Sequence, residues 1–295
     1  MSPLRIWLAA ARPKTLPAAI GPVLVGTAAA VQVVDELRLG TCLAALAGSV
    51  LIQVGTNLAN DYSDAKRGAD TAERLGPVRV TSSGLVAPRR VLAATWVAFA
   101  AAVAAGVYLA AEVGPEILAV GTVSILAGIL YTGGPRPYGY AGLGEVFVFL
   151  FFGLVAVNGS YYVQLEELDW LPLALSVPVG ALATAILVVN NLRDIDTDRR
   201  AGKITLAVRL GRERTRRLYA GLLAVAFAAV PVAVPIADAP AASLLALLAA
   251  PLAGSPLRAV LTRSDGDSLN QALAGTGLLL AAFSVLLTAG LLIAA

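Results

Sequence analysis

Apolar runs of about 20 residues follow one another along almost the whole of this 295-residue chain. A helix of that length crosses the roughly 30 Å hydrocarbon core of a bilayer. Only 14% of the residues are charged and 58% are hydrophobic, whereas soluble domains carry about 25% charged residues. The sequence therefore predicts an all-α fold, a polytopic membrane bundle of about nine transmembrane helices that forms one domain over residues 1–295. The predicted spans are Thr15–Val34, Gly40–Asn60, Arg90–Ala111, Pro115–Thr132, Leu143–Gln164, Leu171–Leu192, Thr215–Ile236, Ala241–Leu261 and Leu269–Ile293.

Lysine and arginine fall almost entirely on one side of the predicted membrane. Nine spans place the loops alternately on two sides, and Arg38 is then the only one of the 22 basic residues that lies opposite the N-terminus. Cytoplasmic loops of membrane proteins carry the excess of Lys and Arg. We therefore expect a multi-pass protein of the cell membrane, with a cytoplasmic N-terminus and an active site that faces the cytoplasm.

The absence of histidine restricts the possible metal chemistry. The chain has no His and a single cysteine, Cys42, which excludes His-ligated metals, thiolate zinc sites and an internal disulfide. A metal would have to bind oxygen ligands, as hard cations such as Mg²⁺ do. The net charge of +3 reflects orientation in the membrane, and we expect no nucleic-acid partner.

A polar stretch ends the second predicted span. It contains Gln53, Asn57, Asn60, Asp61 and Asp64. Spacings of four, four and three residues place Gln53, Asn57, Asp61 and Asp64 on one helical face. This face starts about two turns inside the membrane, where amide groups facing lipid would be costly. It is therefore expected to border a polar cavity.

A similar stretch ends the sixth predicted span, where Asn190, Asn191, Asp194 and Asp198 share a face and Asp196 points roughly opposite. Both spans end on the same side of the membrane. Two acidic clusters that face one cavity repel each other unless cations lie between them. Because Mg²⁺ is typically held by one or two carboxylates and substrate phosphate oxygens, the sequence predicts metal ions that bridge the protein to a diphosphate.

Two charged loops, residues 61–89 and 193–214, and a short Gly- and Pro-rich loop before the fifth span would complete the site. The predicted catalytic residues are Asp61, Asp64, Asp194, Asp198 and Lys203, and the predicted metal ligands are Asn57, Asp61, Asp64, Asp194 and Asp198. The predicted substrate-binding residues are Asn57, Asn60, Lys66, Arg67, Asp70, Arg79, Tyr131, Arg136, Tyr138, Tyr140, Asn190, Asn191 and Arg193. Arg136 could hold either an acceptor carboxylate or the diphosphate.

These motifs resemble those of the UbiA superfamily of intramembrane prenyltransferases. The resemblance rests on Asn60-Asp61-x2-Asp64 followed by Asp70, and on Asp194-x3-Asp198-x3-Gly202. Leu187 stands where the superfamily has an earlier aspartate. Four segments are similar to the branch that prenylates 1,4-dihydroxy-2-naphthoate for menaquinone synthesis, namely Ala11–Pro17, Asn57–Tyr62, Arg136–Tyr140 and Asn190–Asp196 with Ala201–Lys203.

The resemblance implies Mg²⁺-dependent transfer of a polyprenyl group from polyprenyl diphosphate to 1,4-dihydroxy-2-naphthoate with loss of CO₂, giving demethylmenaquinone and diphosphate. The implied partners are the two substrates and the lipid bilayer. Other acceptors of the superfamily, such as 4-hydroxybenzoate, are alternatives. A secondary transporter is a further alternative, but its functional polar groups would lie near the bilayer midplane, and here they gather at the ends of two helices.

Overall fold

The computed structural model describes residues 2–69, 75–76 and 78–295, and within these residues it contains helices and no strand. The helices are α1 Pro3–Ala11, α2 Pro17–Val34, α3 Leu39–Lys66, α4 Pro88–Val113, α5 Glu116–Leu130, α6 Gly144–Val148, α7 Ala156–Leu165, α8 Trp170–Arg200, α9 Leu206–Ile236, α10 Ala250–Thr262 and α11 Gly266–Ile293. A π-helical segment, Phe149–Val155, joins α6 to α7, and short 3₁₀ segments cover Pro13–Thr15, Tyr138–Ala141 and Ala241–Ala249.

Each predicted span coincides with a helical stretch of the structure. Within the described residues, eight stretches are long and apolar enough to cross a membrane, and α5 is a shorter apolar helix. The prediction of an all-α bundle is confirmed. At 1.5 Å per residue, the 15 residues of α5 extend only about 22 Å. The number of nine spans and the cytoplasmic N-terminus stay predictions.

Two helices run past the ends of the predicted spans. α3 continues beyond Asn60 to Lys66, and α8 continues beyond Leu192 to Arg200. The two predicted active-site loops therefore begin as helix, because a helix that carries polar residues on one face can extend from the bilayer without interruption. The acidic side chains consequently lie on regular helical turns and not on irregular loop backbone.

The helix α8 forms the centre of the bundle. Leu175, Leu182 and Val189 are fully buried along it. Gly180 of α8 lies against Gly153 of the π-helical segment, and a Cβ atom on Gly153 would fall 2.8 Å from the Gly180 Cα. Small residues at such contacts let membrane helices approach closely. This close contact fixes the π-helical segment against α8.

A short helix, α1, precedes the first span, and the apolar pattern of the sequence did not indicate it. Ser2 caps its N-terminus by accepting the Arg5 backbone N–H at 3.4 Å. The helix ends at Arg12, which has a left-handed backbone with φ 55°. Leu4 and Leu8 are exposed, as expected for an amphipathic helix at a membrane surface. The turn at Arg12 directs the chain into α2.

Candidate active site

A cavity of about 320 Å³ lies between the helices and is polar at one end and apolar along the rest of its length. Its lining residues on α3 run from Ala45 to Asp64, which at 1.5 Å per residue corresponds to about 28 Å. Leu109, Ile117 and Val155 line the apolar part. The polar end of the cavity is lined by Arg12, Asn60, Asp64, Arg79, Asp194, Asp198 and Lys203. The shape fits a ligand with a charged head and a long apolar chain.

Asp64 is a buried carboxylate at the polar end that contacts three other side chains. It is 1% exposed and accepts hydrogen bonds from Arg79 at 3.1 Å and from the Tyr140 hydroxyl at 2.8 Å. The Lys203 ammonium lies 3.6 Å away. Four chain segments thus meet at the Asp64 side chain: α3, the segment after α3, the loop that precedes α6 and the loop that precedes α9.

Lys203 lies between the two acidic helices. Its Nζ atom is 3.6 Å from Asp64 Oδ2 on α3 and 3.9 Å from Asp198 Oδ1 on α8. It is placed there by a helix C-cap in which Gly202 has φ 73° and the Lys203 N–H donates to the Asp198 carbonyl at 2.8 Å, an arrangement that favours glycine. The position between two carboxylates is therefore one that attracts a cation.

Asp194 is held by its neighbour in the sequence. Arg193 donates from Nε and Nη2 to the two Asp194 oxygens at 2.8 and 2.6 Å. The same guanidinium, 1% exposed, also donates to Asn190 at 2.9 Å and to Asn270 of α11 at 2.7 Å. Asn270 in turn donates to the Leu75 carbonyl. Arg193 was predicted to bind substrate, and in this structure it fixes Asp194 and Asn190.

Asp61 has a different role from Asp64 in the structure. Its two carboxylate oxygens accept the backbone N–H groups of Val80 and Thr81 at 3.1 and 2.9 Å, and Asp61 is not among the residues that line the cavity. Asn60 lines the cavity in its place and accepts a hydrogen bond from Thr132 at 2.9 Å. Asp61 therefore anchors the segment that carries Arg79.

The amides deeper in the cavity are held by the chain that enters α2. Asn57 donates to the Ala11 carbonyl at 3.0 Å, and Gln53 donates to the Thr15 hydroxyl at 3.2 Å. Both amides line the cavity. The predicted polar face of α3 therefore exists, but it runs through Gln53, Asn57, Asn60 and Asp64, because residues three and four apart both lie on one helical face.

The other predicted substrate-binding residues divide into two groups. Tyr131, Tyr138, Asn190 and Asn191 line the cavity. Lys66, Arg67 and Arg136 are exposed and do not line it, although the Arg67 guanidinium lies 5.6 Å from the ring centre of Tyr140 and donates to the Gly134 carbonyl. Asp196 points away from the cavity and pairs with Arg212 at 2.7 Å. The prediction for Asp70 lies outside the described residues.

Two residues, one that lines the cavity and one that contacts a lining residue, were not predicted as site residues. Arg12 lines the polar end, and the sequence signal for it was its place in the segment Ala11–Pro17. Glu145 is a buried carboxylate within a membrane span and accepts a hydrogen bond from Asn191 at 2.9 Å. A carboxylate at the start of an apolar run was the available signal, because acidic residues within membrane spans are rare and commonly functional.

The side chains at the polar end fit a divalent cation only together with a second source of ligands. The side-chain atoms there that could bind a metal ion are carboxylate and amide oxygens, which suit Mg²⁺. In the part of the chain that the structure describes, no three acidic side chains converge closely enough to form a metal site by themselves. Asp64 and Asp198 lie on opposite helices with Lys203 between them. This arrangement fits Mg²⁺ that is shared with phosphate oxygens.

Comparison with known proteins gives consistent matches over most of the chain. The model of the UbiA prenyltransferase family matches residues 19–283. The 1,4-dihydroxy-2-naphthoate octaprenyltransferase of Mycobacterium tuberculosis is 53% identical over 75% of this chain and 75% of its own length. The protein of the same name from Mycobacterium leprae is 43% identical over 98% of this chain and 96% of its own length.

Solved structures show the same fold at low sequence identity. The apo structure of a UbiA homologue from Aeropyrum pernix K1 aligns with a TM-score of 0.66 at 16% identity, covering 93% of this chain and 97% of that one. A UbiA homologue from Archaeoglobus fulgidus bound to DMAPP and Mg²⁺ aligns with a TM-score of 0.61 at 15% identity, covering 95% and 98%. The chain is a multi-pass membrane protein, and it belongs to the UbiA prenyltransferase family.

Proposed function

We propose that this protein transfers a polyprenyl group from a polyprenyl diphosphate to 1,4-dihydroxy-2-naphthoate with loss of CO₂. The observation that carries the proposal is a cavity with an ionic end at Asp64, Asp198 and Lys203 and a long apolar remainder. The relatives named 1,4-dihydroxy-2-naphthoate octaprenyltransferase support the choice of acceptor. The cavity opening at the ends of α3 and α8 would then face the cytoplasm, in accordance with the distribution of basic residues.

The diphosphate binds at the polar end. Arg79, Lys203 and Arg12 supply positive charge there, and charge-assisted hydrogen bonds to phosphate oxygens are about twice as strong as neutral ones. In this structure the Arg79 and Lys203 cations contact Asp64. Binding of the diphosphate would therefore exchange carboxylate partners for phosphate partners, while the apolar part of the cavity encloses the prenyl chain.

The residues that would hold Mg²⁺ are Asn60 and Asp64 on α3 and Asp194 and Asp198 on α8. All four line the polar end, and each contributes oxygen atoms. The solved relative bound to DMAPP and Mg²⁺ supports the use of this metal. Bound Mg²⁺ supplies positive charge that stabilises the diphosphate as it leaves.

The reaction breaks one bond and forms one bond at the allylic carbon of the prenyl group. The bond from that carbon to the diphosphate oxygen breaks, and its electron pair leaves with the diphosphate. The ring carbon that bears the carboxylate forms the new carbon–carbon bond with a ring electron pair. The bond to the carboxylate carbon then breaks, and its electrons restore the aromatic ring as CO₂ departs. The apolar walls exclude water from the allylic cation.

The test is an assay of purified protein with Mg²⁺, a polyprenyl diphosphate and a panel of aromatic acid acceptors, with product masses read by mass spectrometry. We expect a prenylated dihydroxynaphthalene that has lost the mass of CO₂. A higher kcat/KM for 4-hydroxybenzoate than for the naphthoate would contradict the acceptor and leave the prenyl transfer intact. Binding of radiolabelled prenyl diphosphate with no product from any acceptor would contradict the proposed function.

A further inference from the structure

A buried carboxylate lies directly behind one wall of the cavity. Glu145, in the first turn of α6, is 5% exposed, and Asn191 of α8 donates to its Oε1 atom at 2.9 Å. Its Oε2 atom is buried and has no hydrogen-bond partner among the described residues. A buried carboxylate oxygen without a partner is costly. An apolar residue at this position would avoid the free-energy cost of burying a carboxyl group. The presence of Glu145 there therefore points to a functional role.

The packing around Glu145 holds it close to the cavity. Gly144, the preceding residue, lies so near two cavity-lining side chains that a Cβ on it would be 3.2 Å from both Leu187 and the Tyr131 ring. The absence of a side chain at Gly144 is what allows α6 to approach this wall. Asn191 itself lines the cavity. Glu145 can therefore act on a bound ligand through the amide of Asn191.

The hydrogen bond from Asn191 determines which of its atoms is available to a ligand. The NH₂ group of the Asn191 amide donates to the Oε1 atom of Glu145, and a carboxyl oxygen accepts such a bond. The carbonyl oxygen of Asn191 is then left to accept a hydrogen bond from a donor in the cavity. A phenolic hydroxyl is such a donor, and a prenyl chain carries none.

The depth of Asn191 in the membrane matches the position of an acceptor ring. Asn191 precedes Asp194 by one helical turn, which places it about 4.5 Å further from the polar end along α8. The allylic carbon is attached to the diphosphate, and the ring carbon must approach it to about 3–3.5 Å before reaction. The acceptor ring must therefore lie about one turn below the diphosphate, at the level of Asn191.

We propose that Glu145 is a positioning residue for the aromatic acceptor, because it orients the Asn191 amide so that its carbonyl oxygen accepts a hydrogen bond from a ring hydroxyl. This contact orients the ring and increases electron density at the reacting carbon. The proposal rests on the proposed function for the identity of the acceptor. In this proposal, the cavity wall formed by α6 and α8 selects acceptors that carry a hydroxyl group.

The experiment compares Glu145→Gln, Glu145→Asp, Asn191→Ala and the Glu145→Gln/Asn191→Ala double variant with the unmodified protein. The KM values of both substrates are measured for each. For Glu145→Gln we expect the KM of the naphthoate acceptor to rise about tenfold, because the Gln amide no longer fixes the orientation of Asn191. The KM of the prenyl diphosphate should stay within about twofold. Glu145→Asp, which keeps the carboxylate, should give an acceptor KM between those of Glu145→Gln and the unmodified protein.

The double variant separates positioning from a general structural role. Because Glu145 acts through Asn191, adding Glu145→Gln to Asn191→Ala should cause no further rise in the acceptor KM. Glu213→Gln is the matched control, because the Glu213 side chain is 73% exposed, and it should behave as the unmodified protein does. Retained binding of prenyl diphosphate shows that each variant is folded.

Three results would overturn the proposal: an unchanged acceptor KM in Glu145→Gln, a parallel rise in both KM values, or additive effects in the double variant. Failure of the proposed function is seen separately, in the unmodified protein. If the unmodified protein prenylates another acceptor and makes no prenylated naphthoate, the proposed acceptor is wrong. The role of Glu145 in positioning the naphthoate is then wrong as well.

Discussion

Asp61 and Asp64 lie one turn apart on α3, but their carboxylates face different partners. Asp64 lines the cavity and contacts Arg79 and Lys203. Asp61 accepts two backbone N–H groups from the segment that carries Arg79. We infer that Asp64 acts on the diphosphate end of a substrate, whereas Asp61 holds the chain segment that supplies the Arg79 cation.

This difference predicts separate consequences for two isosteric variants. Asp61→Asn replaces one acceptor oxygen by an NH₂ group, so the N–H groups of Val80 and Thr81 lose part of their anchor. We expect activity to fall and hydrogen exchange at these two amides to accelerate. Asp64→Asn should lower activity by about 10²-fold or more without accelerating that exchange. Unchanged exchange at Val80 and Thr81 in Asp61→Asn would contradict the anchoring role.

A second prediction concerns the divalent cation. Because the two acidic helices supply only oxygen donors and share Lys203 between them, turnover should stop in excess EDTA and return when Mg²⁺ is added. Asp194→Ala and Asp198→Ala should each abolish turnover at ordinary Mg²⁺ concentrations. Asp196→Asn is the control on the same helix. Its exposed ion pair with Arg212 is of a kind that contributes only about 0–1 kcal/mol, and near-normal rates are expected.

Full activity in EDTA, or normal rates for Asp194→Ala, would contradict the metal assignment. An Asp196→Asn variant as inactive as Asp198→Ala would show that the two faces of α8 are not functionally distinct. The comparison uses three carboxylates within one helical stretch, so general effects of charge removal near the membrane surface are matched.

A third prediction addresses Lys203. Its position between Asp64 and Asp198 implies that its charge contributes to diphosphate binding and departure. Lys203→Gln should lower kcat/KM for the prenyl diphosphate by about 10²-fold, the usual loss when one charge-stabilising donor is removed. Arg199→Gln removes an exposed cation at the end of α8, four residues before Lys203, and should leave kcat/KM within about twofold. Equal losses in both variants would indicate a long-range charge effect.

A fourth prediction tests orientation in the membrane. In a Cys42→Ala background, a cysteine at Lys66 or Arg214, both exposed, should resist a membrane-impermeant thiol reagent in intact cells and react after permeabilisation. A cysteine at Leu168, which is 69% exposed between α7 and α8, should react in intact cells. The opposite pattern would reverse the predicted topology and place the polar end of the cavity outside the cytoplasm.

The helical bundle was predictable because the apolar runs alone determine where helices cross a membrane. The acidic clusters were predictable because carboxylates and amides recurred at helical spacing near two span ends. The different roles of Asn60 and Asp61 were not predictable, since the two residues are adjacent and helical spacing allows either to share a face with Asp64. Only the position of Val80 and Thr81, a long-range feature, shows that Asp61 faces away from the cavity.

Glu145 and Arg12 could not be placed for a similar reason. Both lie far in sequence from the acidic clusters, and their contribution depends on tertiary packing: α6 against α8 for Glu145, and the turn before α2 for Arg12. In contrast, Arg136 is exposed because it lies in a loop. The Gly and Pro content of the sequence indicated this loop, but it did not indicate whether the Arg136 side chain points into the cavity.

Tyr140 provides the last prediction, because it makes two kinds of contact with the polar end. Its hydroxyl donates to Asp64 at 2.8 Å, and its ring centre lies 5.0 Å from the Lys203 ammonium. Tyr140→Phe removes the hydrogen bond and keeps the cation–π contact. One hydrogen bond contributes about 0.5–1.5 kcal/mol net, so the KM of the prenyl diphosphate should rise by about tenfold or less.

Tyr140→Leu removes both contacts and should raise the same KM further, because a cation–π pair contributes about 0.5–2 kcal/mol. The acceptor KM should change little in either variant if Tyr140 acts on the diphosphate end. A selective rise in the acceptor KM would instead place Tyr140 on the acceptor side. Tyr108→Phe is the matched control, since Tyr108 lies on α4 with its hydroxyl beside Gly40, at the end of α3 opposite to Asp64, and its substrate KM values should match those of the unmodified protein.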